Sequence, residues 1–223
     1  MIDNILLDSL GDHWMLRYDN DGKSYGGYKC APVGEWNTCP KWNENTKADC
    51  ESGGFFGQGP QASGYLHDGT RVCFCETRGP MCLVDDVKVK WREFRVLYTQ
   101  NEALAALNYV TGGRWAGSLR ILPRLTSTTL TTVGGDCVLH EGASAPALTT
   151  VGGDCFMYYD ASAPALTTVG GYCALRASAP ALTTVGSNCY LDEGASAPAL
   201  TTVKGDCTLD EGASAPMLKR RQL

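Results

Sequence analysis

The stretch Leu130-Thr-Thr-Val-Gly-Gly-Asp-Cys-Val-Leu-His-Glu-Gly-Ala-Ser-Ala-Pro-Ala147 decides the architecture, because the chain repeats it. Copies begin at Leu148, Leu166, Leu182 and Leu200, at spacings of 18, 18, 16 and 18 residues, and a last one stops after Leu218. A unit this short cannot enclose a core of its own, so successive units must stack and share one. The expected fold is an α+β N-terminal domain over residues 1–112, then a short right-handed β-solenoid over 113–223 of about six coils.

Within a unit the expected path has Leu130 and Val133 pointing inward from a short bend, and Gly134-Gly135 making a tight turn that uses glycine's free φ. Asp136–His140 then alternates as a strand, with Cys137 and Leu139 inside and Asp136, Val138 and His140 outside. Ala145-Pro146-Ala147 forms the return corner, where proline's missing N–H does no harm. Extending the register backward places Leu119 and Ile121 as a degenerate first coil. Gly113–Gly117, with Trp115, is expected to join or cap that end, and Met217–Arg221 to close the other. The third unit lacks the Glu-Gly pair (Leu175-Arg-Ala-Ser-Ala-Pro180) but keeps its inward positions.

The cysteines follow from the same register. Cys137, Cys155, Cys173, Cys189 and Cys207 occupy one repeat position, where a small apolar side chain is wanted, and free cysteine packs as one. Pairwise disulfides are the alternative, because in-register parallel strands lie about 4.8 Å apart. An odd number of rungs counts against them.

Outward positions vary where inward ones do not. They read Asp136, Asp154, Tyr172, Asn188, Asp206; then Val138, Phe156, Ala174, Tyr190, Thr208; then His140, Tyr158, Arg176, Asp192, Asp210. Phe156, Tyr158, Tyr159, Tyr172, Arg176 and Tyr190 cluster there, and Tyr and Arg on a rigid frame are enriched at binding hot spots. They are the expected partner-binding residues. An inert exposed sheet bearing β-compatible side chains is the competing reading.

The repeat pattern Leu-Thr-Thr-Val-Gly-Gly-Asp-x-x-Leu resembles the single-turn repeats of receptor L domains and other leucine-rich-repeat-like solenoids, over about residues 117–218. That resemblance implies architecture and not activity.

In the N-terminal part, Arg71–Glu76 and Val87–Tyr98 alternate as strands, and Glu102–Tyr109 reads as a helix capped by Asn101 and ended by Gly112-Gly113. Glu51–Gly64 reads as a long Gly-rich loop or a loop leading into a short helix, with neither the Lys-Ser/Thr of a P-loop nor a strand-then-helix setting. Tyr25-Gly-Gly-Tyr-Lys-Cys30, Val33-Gly-Glu-Trp36, Cys50–Gly54 and the strand ending Cys75-Glu76 together resemble an uncharacterised domain of phage and bacterial proteins, over about residues 15–98. The resemblance implies a phage or prophage origin. A more distant likeness to ADP-ribosyltransferases, on Tyr25, Lys29, Arg71 and Glu76, implies NAD as the cofactor; the family's usual aromatic-Arg or His-Gly-Thr motif is missing.

Other chemistry is sparse. Cys30, Cys39, Cys50, Cys73, Cys75 and Cys82 contain no Cys-x-x-Cys, which argues against zinc, and no metal site is expected. His67 is the candidate base for a Cys50 or Cys73 nucleophile, against an exposed turn histidine. Glu76 and Glu35 stand among apolar neighbours, where a carboxyl pKa can rise. The net charge of −5, with 11 Lys and Arg against 15 Asp and Glu in residues 1–110, argues against nucleic acid as a partner. The acidic start does not resemble a signal peptide and no run is long enough to span a bilayer, so a cytoplasmic location is expected.

The expected function is non-enzymatic: a protein–protein interaction module that modulates or inhibits a host protein through the solenoid face. An ADP-ribosyltransferase-like enzyme with the solenoid as targeting domain is one alternative. A self-associating virion structural or decoration protein is the other.

Overall fold

Cys137 lies beside Cys155, Cys155 beside Cys173, Cys173 beside Cys189 and Cys189 beside Cys207, each pair on adjacent parallel strands. This register organises the second of two compact units, Met1–Thr111 and Gly112–Leu223. The structure, a computed structural model, describes residues 1–24, 27–44, 46, 53–64 and 68–218.

The second unit is a parallel β-solenoid. One six-stranded sheet holds Leu119–Ile121, Cys137–Leu139, Cys155–Met157, Cys173–Leu175, Cys189–Leu191 and Cys207–Leu209. Leu119 and Ile121 pair with Cys137 and Leu139 as the degenerate first rung. A second six-stranded sheet holds Arg114–Trp115 and the five Thr-Val pairs from Thr132–Val133 to Thr202–Val203. The bend expected at Leu130–Val133 is therefore part of a sheet, with Trp115 taking the valine place in its first rung. A third, discontinuous ladder links Thr126, Ser144 and Ser162, and separately Ser196 and Ser214. It is interrupted at Ser178, in the coil shortened by two residues.

Inside, each residue type stacks on its own kind. Leu130, Leu148, Leu166, Leu182 and Leu200 are fully buried, as are Val133, Val151, Val169 and Val185, and Ala145, Ala163, Ala179 and Ala197. Each buried Leu or Val contributes roughly 1.5–3 kcal/mol. The cysteines complete the set as free thiols, buried except for the half-buried Cys207 at the end of the stack. Met217, expected to help close that end, is 60 % exposed, and Lys219–Arg221 lie outside the described residues.

Polar side chains also bond from coil to coil. Thr149, Thr167, Thr183 and Thr201 each donate a hydroxyl to the threonine carbonyl one coil earlier, at 3.0–3.2 Å. Asp136 Oδ1 accepts from Asp154 N at 2.8 Å, Asp154 Oδ1 from Tyr172 N at 2.7 Å, and Asn188 Oδ1 from Asp206 N at 2.9 Å.

These contacts explain the glycine pairs, and the reason differs from the one expected. Neither Gly134 nor Gly135 has a positive φ. A Cβ on Gly152 would instead stand 2.2 Å from the Gly134 carbonyl oxygen, and one on Gly153 2.2 Å from Asp136 Oδ1. The second glycine makes room for the Asp or Asn of the preceding coil, and where that residue is Tyr172 the next coil has Ser187 instead. In the last described coil Lys204 takes the first-glycine place, and its amide lies 3.0 Å from the Val185 carbonyl oxygen, against 2.8 Å for the matching bonds of Gly152, Gly170 and Gly186.

The first unit is an antiparallel sheet with two helices. Its elements are α1 (Asn4–Ser9), β1 (Trp14–Asp19), β2 (Trp36–Thr38), β3 (Phe55–Gly57), β4 (Arg71–Val84), β5 (Lys88–Thr99) and α2 (Gln100–Val110). The sheet order is β1-β4-β5-β2, with β3 also on β5. Three expectations change. β4 continues through Gly79-Pro80 to Val84 by a register irregularity between Arg78 and Met81. The cap of α2 is Thr99, which leaves Asn101 inside the helix. The Gly-rich stretch contains β3, and Gly57 is needed because a Cβ there would lie 2.8 Å from the Leu16 carbonyl oxygen.

A Gly152→Ala substitution tests the close-approach account. It should destabilise the protein by about 1–3 kcal/mol, as overpacking does, measured by urea unfolding against wild type. An unchanged midpoint would refute it.

Candidate functional site

The outward face of the Cys sheet carries a groove of about 320 Å³, lined by Phe156, Met157, Tyr158, Tyr172, Ala174, Leu175, Arg176 and Tyr190. Strand register builds it. Phe156, Ala174 and Tyr190 are directly paired on three adjacent strands, so a methyl group lies between two large rings. Ala174 is the floor and the rings are the walls. Tyr172 stands at one end of the floor, with its ring 5.8 Å from Phe156. Tyr158 and Arg176 stand at the other.

The column beyond the strands is internally matched. His140 and Tyr158 stack with ring centroids 5.4 Å apart and 4° between planes. The Arg176 guanidinium carbon lies 5.6 Å from the Tyr158 ring centre and 5.5 Å from that of Tyr159. Arg176 Nε pairs with Asp192 Oδ2 at 2.7 Å. Tyr190 donates its hydroxyl to Asp210. That bond to a carboxylate favours the protonated phenol and pushes Tyr190 up to about 12. Burial, then neighbouring groups, also pushes Tyr172 up.

Five of the six residues expected to bind a partner line the groove, and the sixth, Tyr159, lies under Arg176 on the adjoining corner. Tyr158, Tyr159 and Arg176 are exposed, whereas Phe156, Tyr172 and Tyr190 are half-buried. Val138, expected outside, is buried. The floor residue Ala174 was not singled out from the sequence, although its small size between Phe156 and Tyr190 in the outward column was the available signal.

The thiols of the Cys column behind this face shift in opposite directions, and hydrogen bonds with Cys173 and Cys207 draw Cys189 down to about 4. Burial pushes the Cys137 thiol well up, and Cys173 is pushed well up by hydrogen bonds to Cys155 and Cys189 as well as by burial.

In the first unit the candidate catalytic residues have separate partners. Arg71 Nε and Nη2 donate to the two oxygens of Asp19 at 2.8 and 2.7 Å, with Asp19 buried. Burial alone would raise the Asp19 carboxyl, but the Arg71 hydrogen bond, the Gly22 amide and the nearby arginine charges hold it below its usual range. Glu76 faces Arg95 across β4 and β5 and pairs with it at 2.6 Å, so it is not the apolar-set carboxylate expected. Glu35 is exposed rather than embedded. Burial pushes Cys73 up to about 12 and Cys75 well above its ordinary value, which suits core thiols rather than nucleophiles. Tyr25, Cys50 and His67 lie outside the described residues.

Among the described residues no group of three or more His, Cys, Asp or Glu is arranged to hold a metal ion. No described helix is long and apolar enough to cross a membrane. Comparison with family models, curated proteins and solved structures gives no match for the chain.

Two measurements check these assignments. Asp19 titrates lower when folded than its ordinary 3.8, so its contribution is present above that value and is lost as pH falls through the lower folded-state value. Asp19→Asn should cost on the order of 3 kcal/mol at pH 7 by leaving Arg71 unmatched, and urea unfolding should show that cost shrinking towards pH 3. Asp210→Asn should bring the Tyr190 phenol down from about 12 towards its ordinary value of about 10, read by ultraviolet pH titration of wild type and variant.

Proposed function

We propose that this chain is a non-enzymatic interaction protein that holds a protein partner on the outward face of its Cys sheet. The observation that carries the proposal is the groove over Ala174, walled by Phe156 and Tyr190 and flanked by Tyr172, Tyr158 and Arg176. Inward positions hardly change from coil to coil, while the rings and the alanine occur together at outward positions in consecutive coils. Rigid aromatic walls lose little conformational freedom on binding, which favours affinity per contact.

The finer assignments belong to the same proposal. The solenoid is of the leucine-rich-repeat-like kind, the chain is of phage or prophage origin, and the partner is a host protein in the cytoplasm that it inhibits or modulates. The enzyme alternative needs Arg71 and Glu76 to meet one nicotinamide cofactor, whereas Arg71 is held by Asp19 and Glu76 by Arg95.

The test is affinity capture from host lysate with wild type beside a Phe156→Ala/Tyr158→Ala/Tyr190→Ala variant. Hot-spot rings cost about 2 kcal/mol or more each, so the variant should lose a partner that wild type retains, with circular dichroism unchanged. Equal retention by both proteins would move the site off this face.

A further inference from the structure

We infer that the slot over Ala174 takes one arginine or lysine side chain, presented by an extended cationic segment of the partner protein. The inference rests on the reading of this face as a partner-binding surface and adds the chemistry of what enters it.

Size comes first. Phe156 and Tyr190 belong to strands two rungs apart, and Ala174 fills the rung between them with a methyl group. Two parallel-strand spacings make about 9.6 Å. A flat or chain-like group in contact with a ring on each side needs about 7–8 Å, at 3.5–4.0 Å per contact. The slot therefore has room for one flat or chain-like group between the rings, a size that a guanidinium or an alkyl-ammonium chain meets. The flanking side chains Tyr172 and Tyr158 add two more aromatic rings to the lining.

Charge then selects the occupant. Ring faces carry negative potential, which attracts a cation. From Asp136 to Leu218 the chain has nine Asp and Glu but only two Lys and Arg, Arg176 and Lys204. The acids lie beside the outward strands or on the corners just after them: Asp154 precedes the Phe156 strand, and Asp192 and Asp210 follow the two strands beyond Ala174. Arg176 lines the slot, but Asp192 matches its charge at 2.7 Å. Its guanidinium already rests over Tyr158 and Tyr159, so this face holds one cation on its rings by the same physics. An anionic segment would meet the acidic excess, and a purely apolar one would gain nothing from it.

The test uses the full chain and two capped peptides, Gly-Ser-Arg-Ser-Gly and the same sequence with citrulline, the neutral near-isostere of arginine. Tyrosine ring resonances are followed by NMR at matched ionic strength. The arginine peptide should shift the Tyr172 and Tyr190 ring signals and bind about fivefold or more tighter than the citrulline peptide, the ratio a partly desolvated cation–π contact supplies. Ala174→Leu, which fills the slot from its floor, should abolish the shifts, and the smaller Ala174→Val should weaken them, with the backbone spectrum of the neighbouring coils retained. Equal binding of both peptides, no binding of either up to about 10 mM, which a single small site reaches, or unaltered binding to Ala174→Leu would each overturn the inference. If the peptides fail while the triple ring variant still loses its protein partner, the interaction surface stands and its cationic specificity falls. If the arginine peptide enters the slot while that variant keeps the partner, the slot stands and the partner binds elsewhere.

Discussion

Adjacent coils are held one parallel-strand spacing apart, about 4.8 Å, and the rest of the solenoid depends on that distance. It brings the Gly134 carbonyl oxygen so close to the next coil that a Cβ on Gly152 would stand 2.2 Å from it. It also lets Asp136 reach the amide of Asp154, and Thr149 the carbonyl of Thr131, with almost no change in geometry between coils. Backbone groups at the corners, which a short irregular turn would leave exposed, are thereby matched by side chains of the neighbouring coil. The same spacing stacks Leu on Leu and Cys on Cys, so the interior is packed by repetition instead of by complementary shapes.

A frame satisfied from inside leaves its outward positions free to vary at little cost to stability. The largest departures fall together. Tyr172 breaks the Asp and Asn ladder, Ser187 follows it in place of glycine, the coil of Arg176 is two residues short, and Ala174 opens a gap between two rings. The shortening interrupts the serine ladder on another side, yet Cys173, Leu175, Ala179 and Leu182 remain fully buried. Change is confined to the surface and a corner while the core columns continue through it.

The first unit is organised by non-local pairing. Its sheet joins β1 to β4 and β5, and the Arg71–Asp19 pair spans 52 residues of sequence. Breaking such a pair leaves a charge without its partner in a poorly hydrated place, which makes these residues structural anchors. Cys73 and Cys75 lie in the same core with Met15, Phe55 and Phe94.

Periodicity alone determined the solenoid, its coil length, its inward columns and the aromatic cluster outside, because a fixed repeat forces equivalent residues into equivalent places. It also placed Leu119 and Ile121 in the first rung. The glycine pairs were visible but their cause was not: close approach between coils is a distance between backbones, and glycine frequency cannot separate it from a positive φ. The repeat register also set Ala174 between Phe156 and Tyr190. Only the tertiary structure decided that Arg176 belongs to Asp192 and that Arg71 belongs to Asp19 rather than to Glu76. Both are contacts between side chains distant in sequence, and rotamer choice in the solenoid and non-local strand pairing in the first unit, which local residue pattern does not encode, determine who meets whom.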